Sequence, residues 1–173
     1  MSWGKLLQPD IVLGGCILRL TPEMLHQNNL KGLILDVDET LVPMNIAQAS
    51  DELHAWVESL KPTLSIWLVS NNLSRTRISG IAKTLDLPYL LGARKPSRRK
   101  LRQAAEAMQI PIEQVAMVGD RLFTDVLAGN RLGMFTILVE PMVNPAEATR
   151  RYPVHNLEVW ISQALGAMLP PKS

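Results

Sequence analysis

Two acids stand two residues apart in Asp36-Val37-Asp38-Glu39-Thr40, directly after a short apolar run. If the chain leaves that run extended, side chains at i and i+2 project to the same side. Two carboxylates that close repel, and one rises in pKa unless a cation joins them. Magnesium, a hard cation that takes oxygen ligands, removes the repulsion. One carboxylate can then attack phosphorus while the other handles the proton of the leaving group. A polar strand-to-loop turn is the plain structural alternative for the same residues.

Three other apolar runs end in groups of matching chemistry. Ser70-Asn71-Asn72 offers a hydroxyl and backbone amides for phosphate oxygens, or else a cap for the helix after Leu73. Lys95, before Pro96, can neutralise a phosphate or can be an ordinary surface lysine. In Gly119-Asp120-Arg121-Leu122-Phe123-Thr124-Asp125, the glycine permits a close turn and Asp120 can complete a metal shell. Asp125 can orient that shell through a hydrogen bond or a water, and Thr124 can equally be a helix cap.

The elements that must position these groups follow from the apolar pattern. Residues 32–37, 64–70, 115–119 and 134–139 read as buried strands, with a short fifth at 88–91. Their apolar residues are continuous rather than alternating, as in a parallel sheet covered on both faces. Leu53, Trp56, Val57 and Leu60 share one helical face; so do Ile78, Ile81, Ala82 and Leu85, and then Leu101, Ala104, Ala105 and Met108. Thr21-Pro22-Glu23 and Asn144-Pro145-Ala146-Glu147 read as helix starts, and a last amphipathic segment runs from Leu157 to Met168. The alternation predicts an α/β fold of three α/β/α layers, with a mainly parallel five-stranded sheet and right-handed crossovers. In such sheets ligands sit beyond the carboxyl ends of the strands, where all four groups lie.

In their joint order, the four motifs resemble those of the haloacid dehalogenase (HAD) superfamily of phosphohydrolases: D-x-D-x-T, then S or T, then K, then G-D with T-D. The match runs through Asp36-Val37-Asp38-Glu39-Thr40, Ser70, Lys95, Gly119-Asp120 and Thr124-Asp125, over about residues 30 to 140 of a single domain spanning 1–173. The resemblance implies a Rossmann-like fold and hydrolysis through an aspartyl-phosphate with Mg2+. It implies that Asp36 is the nucleophile and a metal ligand. Asp38 would be the acid and then the base, binding metal through its backbone carbonyl. Thr40 would support the loop, Ser70 and the Asn71 amide would bind phosphate oxygens, and Lys95 would neutralise charge. Asp120 would ligate the metal, with Asp125 in or just behind its shell. An acid at position 38 favours a phosphatase over a dehalogenase.

Leu7-Pro9-Asp10, Leu20-Thr21-Pro22-Glu23-Leu25 and Lys31-Gly32, leading into the first motif, look like the YqeG-type phosphatases of subclass IIIA. That group is similar to the mitochondrial phosphatidylglycerophosphate phosphatase, which implies hydrolysis of phosphatidylglycerophosphate to phosphatidylglycerol and phosphate, with an anionic phospholipid headgroup at a membrane surface as substrate. Ser70 lies only 30 positions after Thr40, and Lys95 only 23 after Asn72, so neither gap holds a cap fold. An open site admits a lipid at a membrane surface, a protein or a nucleic-acid end; a neighbouring subunit in a homo-oligomer could also close it. A phosphatase for a soluble phosphometabolite and a non-catalytic binding protein on the same scaffold are the rival readings.

The formal charge of +2 gives no general argument for nucleic acid, but residues 94–102 carry six positive charges and no acid. Arg98, Arg99 and Lys100 fall in the first turn of the predicted helix, where cations oppose its dipole. An anionic lipid surface would offset that cost; a solvated face is the alternative, and RNA finds no interleaved aromatics. Trp3, Leu6, Leu7, Ile11, Val12 and Trp160 either touch a membrane interface or pack on the sheet. The lone Cys16 fits a reducing compartment. With no signal-peptide pattern and no apolar run near the bilayer-spanning length of about 18 residues, a cytoplasmic protein is expected, peripheral if its substrate is a lipid.

Overall fold

The computed structural model describes residues 3–142, 158–161, 163–164 and 166–169. The helix start at 144–147 lies outside them.

Six strands form one parallel sheet: β1 (Ile11–Val12), β2 (Gly32–Leu35), β3 (Ser65–Val69), β4 (Tyr89–Leu90), β5 (Val115–Gly119) and β6 (Phe135–Leu138), in the order β1-β6-β5-β2-β3-β4. All four residues of β2 and all five of β5 are buried, as continuous apolar strands at the centre of a two-sided sheet must be.

The helices include α1 (Trp3–Leu6), α2 (Pro22–Gln27), α3 (Asp51–Leu60), α4 (Arg75–Leu85), α5 (Arg99–Met108) and α6 (Leu127–Asn130). Thr21 caps α2, its hydroxyl accepting from the Met24 N–H at 3.3 Å, and Ser50 caps α3 in the same way. The faces set by apolar spacing are the buried ones. Leu53, Val57 and Leu60 of α3 and Ile78, Ile81 and Leu85 of α4 are fully covered in one core beside β2 and β3. Leu101, Ala104 and Ala105 of α5 pack with Ile34, Val115 and Met117 on the other face. Burying each large aliphatic side chain contributes about 1.5–3 kcal/mol.

The sheet has six strands rather than five. The extra one, β1, is a two-residue edge strand with no apolar run of its own, so its pairing is visible only in the fold. It runs parallel to β6, with Ile11 opposite Ile137. Asp10 holds it there by accepting from the Thr136 N–H at 2.7 Å and from the Thr136 hydroxyl at 3.1 Å. Of the N-terminal stripe, Leu7 is fully buried with Leu122, Val126 and Leu138, Leu6 and Ile11 are partly buried, and Trp3 and Val12 stay exposed. At the other end of the chain, Glu158 and Ala167 are buried and Trp160 is exposed.

Strand order reverses at β2. The chain steps from β2 out to β3 and β4, then returns to place β5 on the other flank of β2. The crevice at that switch point is where such sheets bind ligands. Between β2 and β3 the chain adds only α3, and between β3 and β4 only α4.

Candidate active site

The loop after β2 folds back on itself. Asp38 pairs with Val42 as an isolated bridge, and Glu39 takes a left-handed φ of 67°. This turn returns Thr40 beneath the strand end, where its hydroxyl lies 3.2 Å from Asp120 Oδ1 and 3.4 Å from Asp36 Oδ2. Thr40 thus links the ends of β2 and β5.

Asp36, Asp120 and Asp125 are buried, with one carboxylate oxygen from each inside a group no more than 4.8 Å across. Lys95 is buried too. Its Nζ lies 2.5 Å from Asp36 Oδ1 and 2.7 Å from Asp125 Oδ1, and donates to the Val69 carbonyl at 3.1 Å. The reading of Lys95 as a surface lysine therefore falls. Burial alone would pull its ammonium down, but Asp125 and Asp36 outweigh it and hold Lys95 above the usual lysine range.

One lysine cannot offset three acids. Burial pushes the Asp36 carboxyl up to about 7; Lys95 opposes this, and Asp125 and Asp38 add to it. Burial, then Asp125 and Asp36, push Asp120 well above the ordinary carboxylate range. With all three carboxylates ionised, one ammonium would leave two uncompensated negative charges in a buried, all-oxygen donor set, which is why burial drives Asp36 and Asp120 toward the neutral form when no cation is bound. Such a donor set suits a hard divalent cation.

Asp125 reaches this cluster from an unusual stretch. Residues Leu122–Val126 form a π-helical turn, a distortion frequent at functional sites. Thr124 lies inside the turn and does not cap it. The Arg121 N–H donates to Asp125 Oδ2 at 3.2 Å. Gly119 leaves the room Asp125 needs: a Cβ there would sit 2.3 Å from Asp125 Oδ2 and 2.4 Å from its Cγ. Gly119→Ala is accordingly expected to displace Asp125 from Lys95 and to weaken divalent-metal binding about 10- to 100-fold, read by calorimetric titration. Unchanged metal affinity would contradict this packing.

Asp38 faces elsewhere. Ser70 donates to its Oδ2 at 3.1 Å, and Arg77 of α4 forms an ion pair with Oδ1. Ser70 also accepts from the Asn72 N–H at 2.9 Å, so its hydroxyl shapes its own loop; the N-cap of α4 is Ser74. Asn71 clasps the Lys95 backbone, with its Oδ1 accepting from the Lys95 N–H at 2.8 Å and its Nδ2 donating to the Lys95 carbonyl at 3.3 Å. The structure therefore brings Asp36, Lys95, Asp120 and Asp125 into one cluster. Asp38 and Ser70 form a second pair alongside it, and Asn71 is a brace for Lys95.

Two residues were not singled out from sequence. Arg77 pairs with Asp38 and donates to the Ile46 carbonyl at 2.9 Å and the Pro43 carbonyl at 3.0 Å, fixing the loop after the first motif. A signal existed: the first turn of α4 has no acid yet carries Arg75 and Arg77, the same dipole mismatch seen at 98–100. Glu158 is buried and accepts from Arg121 Nη2 at 2.8 Å and from the Leu122 N–H at 3.3 Å, tying the C-terminal segment to the Asp120 loop. No local pattern marks it.

Residues 92–160 match the family described as HAD-hydrolase-like. The chain is 39% identical over 129 residues to "Probable phosphatase YqeG" of Bacillus subtilis, covering 74% of each chain. It is 28% identical to phosphatidylglycerophosphate phosphatase 1 of Arabidopsis thaliana over 83% of this chain, but spans only 45% of that protein. The fold is shared with a HAD subfamily IIIA hydrolase from Legionella pneumophila (TM-score 0.51, 16% identity, 83% of this chain and 88% of that one). It is also shared with a HAD family hydrolase from Streptomyces avermitilis (TM-score 0.51, 18% identity, 88% and 99%). The motif-bearing strand ends and the likeness to YqeG together establish that this chain belongs to the haloacid dehalogenase family and is a phosphatase.

Proposed function

We propose that this phosphatase hydrolyses phosphatidylglycerophosphate through an aspartyl-phosphate on Asp36, with Mg2+ as its metal and an open, capless site. The observation that carries the mechanism is the buried cluster in which Asp36, Asp120 and Asp125 share one lysine. A carboxylate of Asp36 attacks phosphorus as the bond from phosphorus to the leaving oxygen breaks, and Asp38 donates the proton that oxygen needs. Asp38 then takes a proton from water as the water oxygen attacks phosphorus. This frees Asp36 and inorganic phosphate. The Ser70 hydroxyl and the Asn71 amide hold phosphoryl oxygens, and Lys95 offsets their charge. Asp36, Asp120 and Asp125, with the Asp38 carbonyl, would hold magnesium, which would supply further positive charge against those oxygens. Arg77 keeps Asp38 at the mouth beside Ser70.

The lipid as substrate draws support from the Arabidopsis relative's name and from the single helix in each gap where a cap would stand. Phosphate release from micellar phosphatidylglycerophosphate is expected to exceed that from soluble phosphomonoesters by about 10- to 100-fold in kcat/KM. Equal values would remove the lipid assignment and leave the phosphatase chemistry standing.

A further inference from the structure

Two features near the site are left unused by the chemistry: one on the loops after β2 and β3, the other on α5 and the end of α6. The first is apolar. Leu73, three residues beyond Ser70, is 77% exposed, and Met44 and Ile46, in the loop after the first motif, are 46% and 40% exposed. Leu73 lies over the turn that leads to Lys95, with its Cδ2 2.9 Å from where a Cβ on Gly92 would sit. Ile46 is held beside Asp38 because Arg77 bonds both the Ile46 carbonyl and the Asp38 carboxylate. Apolar side chains thus stand on two loops around Asp38, at loop tips rather than in a groove.

The second feature is basic. Arg98, Arg99, Arg102 and Arg131 line a cavity of about 490 Å³, with Glu106 as the one acid. None of the four arginines is in an ion pair among the described residues. The patch is joined to the site: Arg131 Nη1 donates to the Pro96 carbonyl at 3.2 Å, and Arg98 Nη1 to the Arg131 carbonyl at 3.1 Å. Arg98 is the N-cap of α5 without a side-chain capping bond, and the first turn holds no acid. Cations there cost stability against the helix dipole.

We infer that this rim is a docking surface for an anionic bilayer, with Leu73 and Ile46 entering the headgroup region and the arginine patch taking lipid phosphates. The inference rests on the reading of the substrate as a phospholipid and names the surface that would present it. Apolar loop tips beside unpaired arginines are what interfacial binding combines. Each feature borders the site from its own side, the apolar one through Arg77 to Asp38 and the basic one through Arg131 to the Pro96 carbonyl next to Lys95, so docking through both would bring Asp38 and Ser70 to the lipid headgroups. None of the rim residues is aromatic, which disfavours single-stranded nucleic acid as the occupant.

The test is co-sedimentation of the full chain with phosphatidylcholine vesicles, with and without phosphatidylglycerol. Binding is expected only with phosphatidylglycerol and is expected to weaken with salt. The triple change Arg98→Ser, Arg99→Ser, Arg102→Ser should lower partitioning by about fivefold per arginine, on the order of 100-fold together. Leu73→Ser alone should lower it several-fold. Both variants should hydrolyse p-nitrophenyl phosphate as wild type does, which also shows that they fold. No vesicle binding, equal binding to neutral vesicles, unaltered binding in both variants, or tighter binding to RNA would overturn the inference. Vesicle binding needs no turnover, so it is scored separately from hydrolysis of the micellar lipid.

Discussion

Asp36→Asn is expected to lower metal-dependent phosphate release by about 10⁴-fold or more, since the amide cannot form the acyl-phosphate. The same change should leave the metal-free protein at least as stable as wild type above neutral pH. The reason lies in the raised Asp36 carboxyl, which reaches about 7 in the folded chain from an ordinary 3.8. A group whose folded pKa lies above its unfolded one favours folding fully only below the unfolded value. Its contribution falls as pH rises from about 4 to 7 and is flat beyond. A shift of that size corresponds to at most about 4 kcal/mol. Asparagine stands in for the neutral acid and removes that loss, though it also gives up the ion pair with Lys95. Urea unfolding in chelator at pH 5 and pH 8 measures this directly. The wild type should weaken between the two, and the variant should weaken less, with Asp120 supplying the remaining slope. The proposed nucleophile is thus costly where it sits, and metal would relieve the cost. Retained turnover in the variant would refute the nucleophile. An unfolded variant would refute the account of the cluster's charge.

What was legible in the sequence was what local pattern controls. β2, β3, β5 and β6 are continuous apolar runs whose ends are set by the first polar residue, so the residues at those ends could be named before the fold was known. Lys95 was legible by its order among the motifs but not in its burial, which depends on Val69, Asp36 and Asp125 closing around it. Arg77 was missed because its partner is 39 residues away and on another loop. Glu158, 37 residues from Arg121, was missed for the same reason. β1 was missed because a two-residue edge strand has too little surface to leave a pattern; its place is fixed by Asp10 and Thr136, 126 residues apart. Asn71 carries a related lesson. The sequence assigns its main-chain amide to phosphate, and the fold adds a separate task for its side chain, which braces the Lys95 backbone.

Lys95→Met is the complementary experiment, and its signs differ. The side chain is 1% exposed and is the one cation in the buried cluster. Removing one partner of a buried ion pair costs about 3–5 kcal/mol, because the other charge is left uncompensated. For a chain of this size that is a fall in Tm of about 10 °C. Here two acids lose the same partner, so part of the cost will be met by protonating Asp36, and the loss should shrink as pH is lowered toward 5. A divalent ion that binds only the folded chain restores stability in proportion to its affinity. With Lys95 gone the ionised carboxylates that magnesium meets carry three formal charges with no ammonium to offset one of them, so the gain in Tm on adding magnesium should be larger in Lys95→Met than in wild type. Activity should still fall by about 10²- to 10³-fold if, as proposed, that ammonium offsets phosphoryl charge. The combination of lower metal-free stability, greater stabilisation by metal and weak turnover separates a lysine that neutralises a metal-binding acid cluster from one that merely fills space. A space-filling lysine replaced by methionine would leave the magnesium response of Tm unchanged.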